Sequence, residues 1–324
     1  MISFFKSQQP TTVIVFLLFF FLVKIPSLLS GAHYPIQPLV NLWGSVGIFF
    51  PNFSILSLFI AQACLLLQAV WFNYLFNKAD YNEVNSFVPA VYFTLITSLL
   101  PAFGVFSIFT IIGFLLLAIF HTLLLITMKE NNKLECFNLG VLAGVLILLD
   151  AHFVFLLPSL VVILYILSPF KFNHFVLLFF GVLLPGYTAV SLSYITDTGL
   201  DFGALSVFRF YLFQPKASML NIAALAVTVS YLLFSFVSLR GIMFSAGIRR
   251  RKNVNMLILL LLGISAVILF NHRQNEAVLS YLFIPVSIFL TLLMLRIRKK
   301  RLGEILNAIF VLVIFVTNIV RIFK

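Results

Sequence analysis

The chain returns again and again to apolar runs about as long as a bilayer is thick. This repetition limits its possible folds more than any motif does. A helix needs about 20 apolar residues to cross the hydrocarbon core, and stretches near 11–30, 54–75, 104–128, 174–196, 218–239, 254–271, 277–295 and 303–320 reach that length. Composition agrees: 62% of the residues are hydrophobic and only 9% charged, whereas about a quarter are charged in a soluble globular domain. Polar interruptions are short and no Gly/Ser-rich linker divides the sequence, so residues 1–324 read as a single transmembrane domain. The expected fold class is all-α, a polytopic transmembrane helical bundle. Residues 1–30 carry Lys6 ahead of an apolar stretch, as a signal peptide would, but the run is long and more spans follow, so an uncleaved first helix is expected.

Two regions decide the span count. Residues 86–128 are too long for one crossing, and "PAFG" at 101–104 supplies the Pro and Gly that end one helix and start another. Residues 137–168 hold the stretch "GVLILLDAHFVFLLPSL", in which Asp150 and His152 interrupt an apolar run. Two short helices turning at "DAH" give about eleven spans and an inside N-terminus, and put 15 of the 21 Lys and Arg on the inner side against 5 outside. A single crossing there would leave almost no bias. The positive-inside rule therefore predicts a cytoplasmic N-terminus, with Asp150 at the outer end of a helical hairpin. A helix over 138–149 is shorter than the core is thick, so the turn lies below the membrane surface, where it must be buried in protein or line a wet cavity. Gly140 and Gly144 allow a close neighbour. Pro26, Pro89, Pro158, Pro185 and Pro285 predict kinked or interrupted helices.

An acid inside the membrane margin marks a candidate site, because its charge needs water or a partner. Asp150 is accordingly a candidate catalytic acid lining an outer cavity, with Lys24, Arg209, Lys216 or Arg273 as a nearby cation. The alternative is an Asp that caps the helix beginning near residue 151. Asp197 and Asp201, in the outer loop "DTGLDFGALSVFRFYLFQPK", are the other catalytic candidates. Substrate-binding candidates are His33 and Tyr34 in the first outer loop, His152, Arg209 and Lys216, and Arg273 in "NHRQNE". No Walker loop, GxGxxG, CxxC, HExxH or GxSxG is present, so no cofactor is expected, and no spacing argues for a metal. Cys64 and Cys136 read as packing residues. The basic loops "GIRRRKN" and "RIRKKR" serve orientation and contact with anionic lipid rather than nucleic acid.

The runs "NKADYNEVNSFVPAVYFTLITSLLPAFGVFSIFTIIGFLLLAIFHTLL" and "FNLGVLAGVLILLDAHFVFLLPSLVVILYILSPFKFNHFVLLFFGVLLPGY" resemble an uncharacterised family of polytopic inner-membrane proteins from Bacteroidota. More distantly, short paired helices after a long first outer loop resemble type-C glycosyltransferases and polysaccharide polymerases. That resemblance implies action at the outer face on a polyprenyl-phosphate-linked sugar, in contact with membrane lipids. Those enzymes carry an acid in the first outer loop; residues 31–53 here contain none, so no catalytic residue carries over. The other two functional classes are a non-catalytic envelope-assembly or scaffold protein and, third, a transporter. A transporter should show internal repeats and midplane charges, and the sequence has neither.

Overall fold

In the computed structural model the described residues are 5, 10–31, 55–81, 85–99, 103–104, 106–129, 132–167, 172–196, 227–236, 247–271, 276–297 and 300–322. Among them eleven α-helices follow one another and no strand occurs. They are α1 (Pro10–Gly31), α2 (Ile55–Lys78), α3 (Val88–Leu99), α4 (Ile108–Met128), α5 (Lys133–Leu149), α6 (Leu157–Leu167), α7 (Phe172–Ile195), α8 (Val227–Phe236), α9 (Ile248–Phe270), α10 (Phe283–Arg296) and α11 (Lys300–Ile322). Two 3-10 segments lead into helices: Ala151–Leu156 into α6 and Glu276–Leu282 into α10. The protein is an all-α helical bundle. Among the described residues six stretches are long and apolar enough to cross a membrane, namely Ser57–Lys78, Ile108–Met128, Phe172–Ile195, Ile248–Phe270, Val278–Arg296 and Gly303–Val320.

The distribution of polarity identifies the solvent. On α11 the side chains of Ile305, Ile309, Leu312, Val316 and Ile319 are exposed, and those of Asn307, Thr317 and Asn318 are buried. On α2, Phe59, Leu67 and Val70 face out while Gln62, Gln68 and Asn73 face in. Water would favour the reverse on both helices; lipid makes an apolar exterior free and pushes amides inward to find partners. The inward groups form specific ties. Gln68 donates to Thr110 O of α4 at 2.8 Å, and Tyr92 on α3 donates to Asn307 Oδ1 of α11 at 2.8 Å. Both cysteines are free thiols, Cys136 buried and Cys64 half-buried.

Contacts between helices fix their relative directions. α5 and α7 cross at glycines: a Cβ on Gly140 would run into Leu178 O and Gly181, and one on Gly144 into Val182 O and Pro185. Later residues of α5 meet later residues of α7, so the two helices run parallel. Residues 151–167 must therefore run back between them, which is the expected hairpin turning at Asp150. α9 lies antiparallel to this returning segment. Phe270 stacks on Phe155 with ring centroids 3.9 Å apart, and Gly263 receives Ser159 and Leu156.

At its start α9 meets the end of α2, so the molecule has two distinguishable ends. One, the basic end, collects Lys78 and Arg249–Lys252. The other holds Asp150 at the far end of α9, about 33 Å away at 1.5 Å per residue over 23 residues. α1 and α3 both start toward the basic end, where Phe87 N donates to Phe5 O at 2.8 Å and Phe16 packs on Phe87.

Not all the prolines act as expected. Pro26 and Pro185 lie inside α1 and α7. Pro89, Pro158 and Pro285 instead sit in the first turns of α3, α6 and α10, where a missing N–H breaks no helical hydrogen bond. They start helices rather than kink them. α3 is wholly buried and only 12 residues long, about 18 Å against a hydrocarbon core of roughly 30 Å.

Candidate functional site

Asp150 ends α5 because its backbone leaves the helix: φ −146° and ψ 112° are extended values. That geometry turns the carboxylate back over the next peptide units. Oδ1 accepts the backbone N–H of His152 at 3.1 Å, which is the capping role in the 3-10 segment, and the same oxygen meets His152 Nδ1 at 2.7 Å. From elsewhere in the chain the Tyr281 hydroxyl donates to Oδ2 at 2.7 Å, and the Asn271 amide approaches it at 3.5 Å. Asn271 is the C-cap of α9 and Tyr281 lies in the 3-10 lead-in to α10. Four helix ends thus converge on one carboxylate. The Tyr281 ring is held between Phe109 of α4 and Phe153.

Asp150 is 1% exposed, His152 3%, Asn271 4% and Tyr281 1%. The structure therefore differs from the expectation of a carboxylate beside open outer space. Among the described residues the basic group placed against Asp150 is His152, two residues along. An ionised carboxylate out of water is tolerated only with its lone pairs satisfied, and here hydroxyl, amide, imidazole and backbone N–H all converge on it. The capping role is present; the open space beside the carboxylate that the catalytic reading required is not.

Lys24 is another ionisable side chain inside the bundle, also 1% exposed. Its Nζ donates to Thr97 Oγ1 at 3.0 Å, and Thr97 Oγ1 donates in turn to Phe93 O at 2.9 Å. Thr97 belongs to the last turn of α3, where the summed peptide dipoles place partial negative charge that favours a cation. Lys24 thus lies toward the Asp150 end of α1 and is tied to a helix terminus. On α2, both amide atoms of Gln62 are buried without a hydrogen-bond partner.

Of the residues singled out in the sequence, Asp150 and His152 come together. His33, Tyr34, Asp197, Asp201, Arg209, Lys216 and Arg273 lie outside the described residues. Among the described residues no group of three His, Cys, Asp or Glu could hold a metal ion. Sequence reasoning missed Tyr281 and Asn271 as partners of Asp150. Asn271 opens the polar stretch "NHRQNE" and so carried a faint signal; Tyr281, in "AVLSYLF", carried none. No family model, curated protein or solved structure matches the chain.

Proposed function

We propose that the chain is a bacterial inner-membrane protein with a cytoplasmic N-terminus and an outward-facing Asp150 end, and that it serves as a non-catalytic envelope-assembly or scaffold protein in which the Asp150 cluster is a structural tie. Support for the orientation comes from the clustering of Lys78 and Arg249–Lys252 at the end opposite Asp150, since cationic residues are retained on the cytoplasmic side. Cysteine introduced at Thr198 should react with an impermeant thiol reagent from the outer side, and cysteine at Ser245 should not; reversed labelling would overturn the orientation.

The observation behind the structural role is the saturation of the Asp150 carboxylate by Tyr281, His152 and Asn271 at 1% exposure. A base or nucleophile must reach its substrate within hydrogen-bond distance, whereas a tie must reach only its partners. The test compares Asp150→Asn with Tyr281→Phe. A tie loses protein abundance and thermal stability in both variants, and any cellular defect follows abundance. A defect confined to Asp150→Asn, with abundance and unfolding temperature at wild-type values, would overturn the structural reading.

A second reading, a type-C-like transferase acting at the outer face on polyprenyl-linked sugars, is favoured by the short paired helical segments on either side of Asp150. In that reading the acid comes from Asp197 or Asp201 and the cations from Arg209, Lys216 and Arg273, with His33 and Tyr34 against the sugar, because Lys24 is as buried as Asp150. Asp150 then only shapes the site. Replacing Asp197 or Asp201 by Asn at unchanged abundance separates the two readings: loss of function supports the transferase, and full function supports the scaffold.

A further inference from the structure

At the basic end the junction of α2 and α9 is more ordered than an orientation signal requires. Arg250 Nε donates to Asp80 O at 2.7 Å, and Arg249 Nη1 lies 3.7 Å from Asp80 Oδ2. Asn253 Nδ2 donates to Ala79 O at 2.9 Å, and the Tyr81 hydroxyl donates to Asn253 O at 3.3 Å. Burial pushes the Tyr81 hydroxyl well above its ordinary pKa, so it remains a donor. Asp80 makes this clasp possible by adopting φ 55°, a left-handed conformation that Asp tolerates better than most residues and that turns both its carbonyl and its carboxylate toward α9.

The clasp holds two guanidinium groups in place, with the exposed Arg251 and the half-buried Lys252 in the same turn and a half. Lys78 completes the group, its Nζ 5.5 Å from the centre of the exposed Tyr74 ring. Five cations thus accompany a single carboxylate at this junction among the described residues. They also sit at one depth. The apolar run of α9 starts at Val254, and Trp71 and Tyr74 on α2 are the amphipathic aromatics that favour a membrane interface.

We propose that the α2–α9 junction is a preorganised seat for the headgroups of anionic diacyl phospholipids, whose phosphates lie at that depth and whose charge complements the cluster. Asp80 costs one unit of positive charge but fixes Arg249 and Arg250, so less side-chain freedom is lost when a phosphate binds. The seat depends on charge, depth and the fixed arginines, and stands whether the protein is a scaffold or a transferase.

The test uses the full chain with Trp43→Phe, which leaves Trp71 as the sole tryptophan, about 10 Å of helix from Lys78. It is reconstituted in phosphatidylcholine bilayers containing phosphatidylglycerol or phosphatidylcholine brominated in the acyl chains. Brominated phosphatidylglycerol should quench Trp71 at a several-fold lower mole fraction than brominated phosphatidylcholine. Arg251→Gln with Lys252→Gln, which leaves the Asp80 contacts intact, should remove that several-fold preference, since each cation near the surface contributes roughly fivefold. Lys133→Gln, at the start of α5, should leave it unchanged. Equal quenching by the two lipids, or a preference that survives the double variant, would overturn the seat. Reversal of the preference by millimolar inorganic phosphate would also overturn it, in favour of a free-anion site.

Discussion

Each end of α9 meets an aspartate from another part of the chain, and the two residues do opposite things with the same carboxylate. At the start of the helix, Asp80 is well exposed and lies 3.7 Å from a guanidinium that is itself half exposed. Most of its fastening runs through backbone carbonyls rather than through its charge. At the far end, Asp150 is buried and its charge is held by three side chains and a backbone N–H. Exposed ion pairs contribute about 0–1 kcal/mol because water and salt screen them. Removing one member of a buried charged cluster costs about 3–5 kcal/mol, because the groups left behind have lost their partner away from water. The acid that leaves the chain its shape is the one that water cannot reach.

Asp150→Ala should therefore be the most damaging change at either end. It strips Tyr281 and His152 of their acceptor and removes the cap of the 3-10 segment, and thermal unfolding in lipid nanodiscs should show a loss of about 3–5 kcal/mol. A loss no larger than that of an Asp80 variant would break the contrast.

Tyr281→Phe comes next. It deletes one donor and leaves the ring between Phe109 and Phe153, so the expected cost is about 1–3 kcal/mol. Hydrogen exchange over Glu276–Leu282 should accelerate in parallel. An unchanged unfolding temperature would mean that Asn271 and His152 suffice to satisfy the carboxylate.

The smallest effects belong to Asp80, where two substitutions sharpen the contrast. Asp80→Ala loses the weak ion pair and places a side chain with no local hydrogen bond at φ 55°, at a cost of about 1 kcal/mol. Asp80→Gly loses the same ion pair but is relaxed in that conformation, and should be close to neutral. If added salt lowers the stability of the wild-type protein and of Asp150→Ala equally, the salt-sensitive part lies at the basic end, where charges are exposed. Equal cost for Asp80→Ala and Asp80→Gly would show that the ion pair, not the backbone, is what Asp80 supplies.

The glycines explain how the buried cluster is reached. α5 and α7 touch backbone to backbone at Gly140, Gly144 and Gly181. Their parallel course makes residues 151–167 return between them, which carries Asp150 to the end of α9. In the sequence Gly140 and Gly144 were visible as a spacing, but their partner Gly181 stood in an apolar run with nothing to connect it to them.

By itself the sequence determined the class, the helices and the break at Asp150. Each of these follows from local chemistry: length of apolar run, position of proline and glycine, and the unwillingness of a carboxylate to remain in a hydrophobic helix. It did not determine what meets that carboxylate. His152 was readable because it lies two residues away. Tyr281 and Asn271 are 131 and 121 residues distant, and no local pattern distinguishes a tyrosine that will donate to a buried acid from one that will sit at an interface. Asp150 is buried beneath its distant partners through the antiparallel pairing of α9 with residues 151–167. Only tertiary structure decides that pairing, because whether a charge stays wet depends on which distant helix ends close over it.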